Sequence, residues 1–404
     1  MTIEIRPVTD DEFPQYAKAV SRGFGNHLRD DEVAGRREIT DLSRTLAAFD
    51  GDLIVGTNNS RLWQINVPGG SIPVAGIISV AVHPTHRRRG ILTRMMDTQL
   101  RDLHERGEAI AALYAAESVI YGRFGFGVGT IEQALTFDRP HTSFTPPFEQ
   151  HGKVRFVEPD EMRETFPDIQ RRALEKRPGV IHTPSYEWDK RRQASTLEGG
   201  NHTPFNAVYE VDGRADGSVL FTNDTWGQQL VTVEELMAVT DEAYSALWGF
   251  ILGIDLISTI KAPKRPIDEP IFWMLDDPHR LGMSTYPTTF ESLWIRLVDV
   301  PIALASRKYL TSDRLIIEVR DSFCPWNEGV YELNGSPDGA ECKRTSAAPD
   351  LVLSASDLAA CYLGTVKFST LARAGRIEER SSGALLRADM MFSSELAPWC
   401  PFTF

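Results

Sequence analysis

"VAVHPTHRRRGIL" (residues 80–92) sets three consecutive arginines and a glycine between an apolar run and a helix-like pattern. Upstream, "SIPVAGIISVAV" (71–82) is rich in β-branched residues and reads as a long strand. Downstream, "ILTRMMDTQLRDLHER" (91–106) places Ile91, Leu92, Met95, Met96, Leu100 and Leu103 on one helical face, and Gly107 stands where helix-ending glycines stand. A strand running through a basic loop into a helix N-terminus is an anion site. The first amides of a helix have no internal partner, and the positive end of its dipole lies there. Gly90 admits close backbone approach, and Arg87, Arg88 and Arg89 add charge-assisted bonds of the kind a pyrophosphate takes. The loop carries neither the three glycines of a dinucleotide fingerprint nor a G-x-x-x-x-G-K-[ST] phosphate loop.

The rest of the chain narrows the ligand. At 404 residues it is long enough for two or three domains. Lys+Arg 43 against Asp+Glu 56 gives a net charge of −13, a field that repels polyanions and attracts cationic acceptors. One short basic cluster is not a basic face, so nucleic acid is excluded as a partner. The first residues, MTIEIRPVTDDEF, show no basic-then-apolar leader, and no run of about 18 apolar residues offers a membrane span. A cytoplasmic location is expected. Cys324, Cys342, Cys361 and Cys400 lack any C-x-x-C pair, so buried free thiols and no metal site are expected.

Strands and helices alternate along the first part. "IEIRPV" reads as a strand and "TDDEFPQYAKAV" as a helix, with Thr9 and Glu12 at capping-box spacing. "AAF" and "LIVGTN" flank the turn Asp50-Gly51-Asp52, and "SRLWQINV" turns through Pro68-Gly69-Gly70 into the long strand. "AIAALYA" is a buried strand, and the Pro-rich stretch 138–153 a linker. "VRFVEPDEM" again reads as strand then helix, and "LVTVEELMAVTDEAYSALWGFILGIDLI" as a strand and an apolar helix, without a second arginine loop. From Leu293 a third pattern follows, with the β segments "RLIIEV" and "GVYELN", and it contains no histidine.

Two stretches carry a resemblance. "VAVHPTHRRRGIL" resembles the acyl-CoA-binding x-P-x-x-R-x-x-G-x-G/A segment of the GCN5-related N-acetyltransferases, the GNAT superfamily, with Arg87, Gly90 and Leu92 at the motif positions. Leu92 departs from the usual small residue. "ESVIYGRFGFG" (117–127) resembles the later Y-x-x-x-G-F signature of the same superfamily. With "LWIRLVDVPIAL" and the final phenylalanine added, the whole chain resembles the Eis (enhanced intracellular survival) family. The resemblance implies an α+β chain: two GNAT-like mixed-sheet regions, 1–145 and 146–290, the second without the cofactor motif. A sterol-carrier-protein-like domain, 291–404, would follow. It also implies acetyl-CoA as acetyl donor, bound by Val80, Ala81, Val82, Arg87, Arg88, Arg89, Gly90, Ile91, Leu92, Thr93, Ala116 and Glu117, and a homo-oligomer, a hexamer in the family.

The implied reaction is N-acetylation of an amine, with Tyr121 as general acid and the main-chain carboxylate of Phe404 as general base. A tyrosine hydroxyl titrates near ~10, close to an alkyl thiol, so proton transfer to a departing thiolate is nearly balanced. An α-carboxyl titrates near ~3.5 and needs desolvation or a relaying water to serve as base. Glu117 is a second base candidate whose bland reading is a helix cap, and His83 and His86 are expected to shape the turn. The family's acceptors are aminoglycosides and protein lysines. Asn26 and Thr403 stand here where aminoglycoside-acetylating members carry acidic residues, so fewer carboxylates face a polycation. Two other readings stay open: a protein lysine acetyltransferase, and a lipid carrier with a decayed acetyltransferase half.

Overall fold

The computed structural model describes residues 3–138, 144, 148–196, 203–277 and 288–404. Two compact units are formed: Met1–Gly129 with Leu293–Ser394 and Phe404, and Thr130–Ser292 with Glu395–Thr403.

In the first unit, strands β1 (Glu4–Arg6), β2 (Thr45–Asp50), β3 (Leu53–Val67), β4 (Gly70–Val82), β5 (Ile110–Tyr114) and β6 (Gly127–Val128) build one sheet. The strand Leu293–Leu297 lies between β5 and β6, so the order is β1, β2, β3, β4, β5, Leu293–Leu297, β6. All neighbours are antiparallel except β4 and β5. Helices α1 (Phe13–Gly23) and α2 (Asp30–Glu38) precede β2, α3 (Ile91–Glu105) joins β4 to β5, and α4 (Ser118–Tyr121) follows β5. Both expected hairpins form. Two local readings are corrected. The first helix starts at Phe13; the expected bond from the Thr9 amide to Glu12 forms at 3.0 Å, but in a turn before the helix, with Glu12 also held by Arg6 at 2.6 Å. "LIVGTN" and "SRLWQINV" are one strand. The polar run Thr57–Ser60, which reads as a break, is buried within it.

The faces of this sheet follow from alternation. Ala75 and Ile77 of β4, with Ala111 and Leu113 of β5, pack against Met96, Leu100 and Leu103 of α3. The other face is covered by α1, whose Tyr16, Ala17 and Val20 cluster with Ala47 and Ile54.

The same unit contains a five-stranded sheet in the order Gly339–Arg344, Gly329–Ser336, Asp313–Arg320, Leu351–Ser354, Glu378–Glu379. Helices Val300–Ala305, Ala355–Tyr362, Phe368–Arg373 and Ala384–Phe392 belong with it.

The second unit repeats the mixed-sheet plan: Thr288–Glu291, Ile131–Asp138, Thr259–Pro266, Leu230–Ala238, Arg214–Asp224, Phe205–Val211, Lys153–Phe156. Among the described residues its one parallel pairing joins Leu230–Ala238 to Thr259–Pro266 over three residues. Helix Asp241–Leu252 buries Leu247, Trp248 and Ile251 against this sheet, and helix Pro159–Leu174 packs with Trp188 and Trp399 in a second cluster. Of the proline-rich linker, residues 139–143 and 145–147 lie outside the described residues. All four cysteines are free; three are buried and Cys342 is half-buried.

Candidate active site

Strands β4 and β5 pair at only two positions, Ala75 with Ala111 and Gly76 with Ala112. Beyond them β4 keeps its other neighbour, pairing Ile78 with Asn59, Ala81 with Thr57 and Val82 with Gly56. A bulge between these pairs adds one residue to β4. Ser79 takes φ 58° there, and its carbonyl accepts the Thr57 hydroxyl at 2.8 Å. The extra residue re-phases the strand, so Ile77 and Val80, three apart, both pack with the α3 cluster. The edge of Val80, Ala81 and Val82 is therefore unpaired with β5. Burial follows: Val74 to Ile77 are buried, Ile78 to Val82 half-buried.

The arginine loop continues from that edge. His83 and His86 shape it, as expected from sequence. Thr85 Oγ1 lies 2.8 Å from His83 Nδ1 and 2.7 Å from His86 Nδ1, and His86 Nε2 is 3.2 Å from Asp50 Oδ2. Arg87, Arg88 and Arg89 are exposed. Arg87 Nε donates to the Val82 carbonyl at 3.3 Å, and Arg88 holds a left-handed φ of 63°. Gly90 (φ 75°) is the N-cap of α3, with no side chain capping it and no acidic residue in the first turn. The first amide bonded back along the helix is that of Arg94, to Gly90 at 3.1 Å. Among the described residues the Ile91, Leu92 and Thr93 amides are left for an anion. The second unit offers an internal contrast. Helix Asp241–Leu252 is capped by Thr240 and opens with Asp241 and Glu242, which fill and repel at the same position.

Tyr121 ends α4 and is 7% exposed, in one apolar cluster with Val80, Leu92, Phe124 and Phe126. Its ring meets those of Phe126 at 5.9 Å and Phe124 at 6.5 Å. Among the described residues its hydroxyl has no hydrogen-bonding partner, and burial pushes its pKa up. The two motif segments and the unpaired strand edge thus meet at one place, on the α3 face. Ala116 and Glu117 follow β5 exposed. Glu117 stands at the N-cap of α4, where its side chain makes no cap bond.

Phe404 belongs to the opposite face. Its ring packs edge-on against Trp63 at 4.6 Å and Tyr114 at 5.0 Å. Trp63 lies over Gly76, where a Cβ would come within 2.1 Å of the indole, and Gly76 belongs to the last β4–β5 pair. Tyr114 ends β5. Sequence reasoning missed this seat of Gly76, Trp63 and Tyr114. The signal was an isolated glycine inside a strand pattern, which marks a close approach. Asn26 is exposed, with its amide bonded to Ser21 at 2.8 Å. Thr403 Oγ1 accepts Lys264 Nζ at 3.0 Å. Among the described residues no group of three or more His, Cys, Asp or Glu is placed to hold a metal, and no helix is long and apolar enough to cross a membrane.

Residues 4–129 and 179–297 each match an acetyltransferase (GNAT) domain family, and 300–401 a sterol carrier protein domain family. An uncharacterized N-acetyltransferase of Streptomyces avermitilis is 36% identical over 416 residues, covering 100% of both chains. N-acetyltransferase Eis of Mycobacterium tuberculosis is 31% identical over 417 residues, again covering 100% of both. The crystal structure of Eis1 from Mycobacterium abscessus superposes with a TM-score of 0.86 at 29% identity, covering 99% of this chain and 100% of that one.

Proposed function

The chain belongs to the Eis family of GCN5-related N-acetyltransferases, and on that premise we propose that it moves the acetyl group of acetyl-CoA to amines of small polycationic acceptors, aminoglycosides among them. The carrying observation is the parting of β4 from β5 after Gly76–Ala112, with an uncapped helix start at its end, Tyr121 on one face and Phe404 on the other.

Each residue's part follows from where it stands. The unpaired edge of Val80, Ala81 and Val82 offers backbone donors and acceptors to the pantetheine and to the thioester oxygen. Arg87, Arg88, Arg89 and the Gly90–Thr93 amides hold the phosphates, while Ala116 and Glu117 line the end of β5. Tyr121, kept protonated by burial and free of any partner among the described residues, donates its phenolic proton to the departing thiolate. The Phe404 carboxylate takes the proton of the attacking amine. The packing of its ring against Trp63 and Tyr114 orders a terminus that would otherwise fray. In this reading the region 1–145 is catalytic, 146–290 is a GNAT-like support and 291–404 supplies the base. The acidic chain suits a polycation, and Asn26 and Thr403 trim that attraction. A cytoplasmic homo-oligomer, a hexamer as the family resemblance implies, belongs to the same proposal.

Appending one glycine after Phe404 tests the base. The carboxylate is displaced while both aromatic contacts can persist. The expected result is a loss of turnover on the order of 10²-fold or more with acetyl-CoA affinity unchanged; an unimpaired rate removes Phe404 as base.

A further inference from the structure

We propose that Arg296, paired with Asp321, is a positioning residue that fixes the turn carrying Tyr121, and that the C-terminal region thereby sets the geometry of the acid. This rests on the reading of Tyr121 above. Arg296 lies on the strand inserted between β5 and β6, with a side chain that is fully buried. One arm of its guanidinium pairs with the Asp321 carboxylate, and the other donates to the carbonyl of Gly125 at 3.5 Å. Gly125 is four residues past Tyr121, at φ 82°, and a Cβ there would stand 2.3 Å from Arg296 Nη1. The guanidinium is thus packed flat against the turn, and only glycine admits it.

The turn is closed on Tyr121 by two backbone bonds, Gly125 to the Gly122 carbonyl at 3.0 Å and Phe126 to the Tyr121 carbonyl at 3.3 Å. Asp321 is itself held, accepting the Cys324 amide at 2.9 Å and Asn327 Nδ2 at 3.2 Å. Phe323 meets Phe124 at a tilt, ring centroids 4.9 Å apart, and Ser356 Oγ donates to the Phe126 carbonyl at 2.8 Å. Gly127 meets helix Ala355–Tyr362 so closely that a Cβ would lie 2.1 Å from the Ser356 carbonyl. The Phe124 ring and the Phe126 main chain, on either side of Gly125, are therefore both held from residues 321–356. A buried ion pair is a weak source of stability compared with apolar packing of the same volume, whereas a rigid fork aimed at one carbonyl fixes a position.

The test uses full-length protein labelled with ¹³Cζ-tyrosine, the Tyr121 signal being identified by its loss in Y121F. In R296M/D321N, which removes both charges together, the Tyr121 resonance should shift and broaden while tyrosines away from Asp321, Tyr16 and Tyr209 among them, stay. Acetyl-CoA affinity should remain within twofold, because the arginine loop is untouched. R296K, which keeps the charge and loses the fork, should show a smaller shift in the same direction. A folded pair variant with the wild-type Tyr121 line overturns the proposal. Where the pair variant does not fold, R296K decides: a displaced line supports the clamp and an unmoved one overturns it. Turnover of Y121F is a separate readout, since wild-type turnover there ends the acid role and leaves the resonance test standing.

Discussion

Replacing Arg88 by glycine should relieve strain and weaken cofactor binding at once. Arg88 is exposed and holds φ 63°, a conformation that costs a non-glycine residue roughly 1–2 kcal/mol. Glycine adopts it freely but adds roughly 0.5–1 kcal/mol of unfolded-chain entropy. R88G is therefore expected to be neutral or stabilised by up to about 1.5 kcal/mol. Its neighbour is the control. Arg89 does not share the left-handed conformation, so R89G carries only the entropic loss, roughly 0.5–1 kcal/mol. The difference between the two, about 1–2 kcal/mol, corresponds to several degrees in melting temperature for a unit of this size. Binding should move the other way. One charge-assisted bond to phosphate contributes roughly 1.5–3 kcal/mol, so acetyl-CoA affinity should fall about 10- to 100-fold in R88G. Ligand-free thermal melts and acetyl-CoA titration calorimetry read the two effects. An R88G affinity within twofold of wild type refutes the phosphate role of the loop. An R88G protein that melts below R89G refutes the strain argument.

Y121F should lower turnover by about 10²- to 10⁴-fold with acetyl-CoA affinity unchanged, read by steady-state kinetics and calorimetry. Burial raises the Tyr121 pKa, so the alkaline fall in turnover should begin above ~10 and be missing from the residual activity of Y121F. Stability should follow the same sign. Buried phenols such as Tyr121, and Tyr331 pushed up to about 12, favour the folded state fully below ~10 and lose that contribution as pH rises through their raised values. At the acid end Arg6 holds Glu12 down at about 2, a contribution present above ~4.3 and lost as pH falls toward about 2, visible in melts across that range. G76A places a methyl where the Trp63 ring lies and should cost about 1–3 kcal/mol by thermal melt. Because Trp63 seats Phe404, turnover should fall more than acetyl-CoA affinity; equal losses would detach Phe404 from the chemistry.

Much of the catalytic half was legible because local signals agreed. The β-branched run before the arginines, the helical spacing after them and Gly90 between them all describe one strand–loop–helix element, which the structure shows. The faces were harder. Nothing in "VAGIISVAV" announces that Ser79 turns left-handed, yet that bulge lets Val80 join Tyr121 on the α3 face. Strand exchange was also hidden. "LWIRL" opens a new pattern in the sequence, but its residues pair with β5 and β6 of the first sheet, a partnership set by contacts almost 180 residues away. Arg296 shows the limit most clearly. An arginine in an apolar strand reads as an edge or a misfit until Asp321 and Gly125 are seen around it.

Thiol release from acetyl-CoA measures acetyl transfer to an amine directly. The full-length protein is assayed against tobramycin, kanamycin, spermine and a lysine peptide, with products weighed by mass spectrometry. Acetylated aminoglycoside is expected, dependent on Tyr121 and on a free Phe404 carboxylate. Product on the lysine peptide alone would move the acceptor to proteins. Tight acetyl-CoA binding with no acetylated amine of any kind would overturn acetyl transfer as the function.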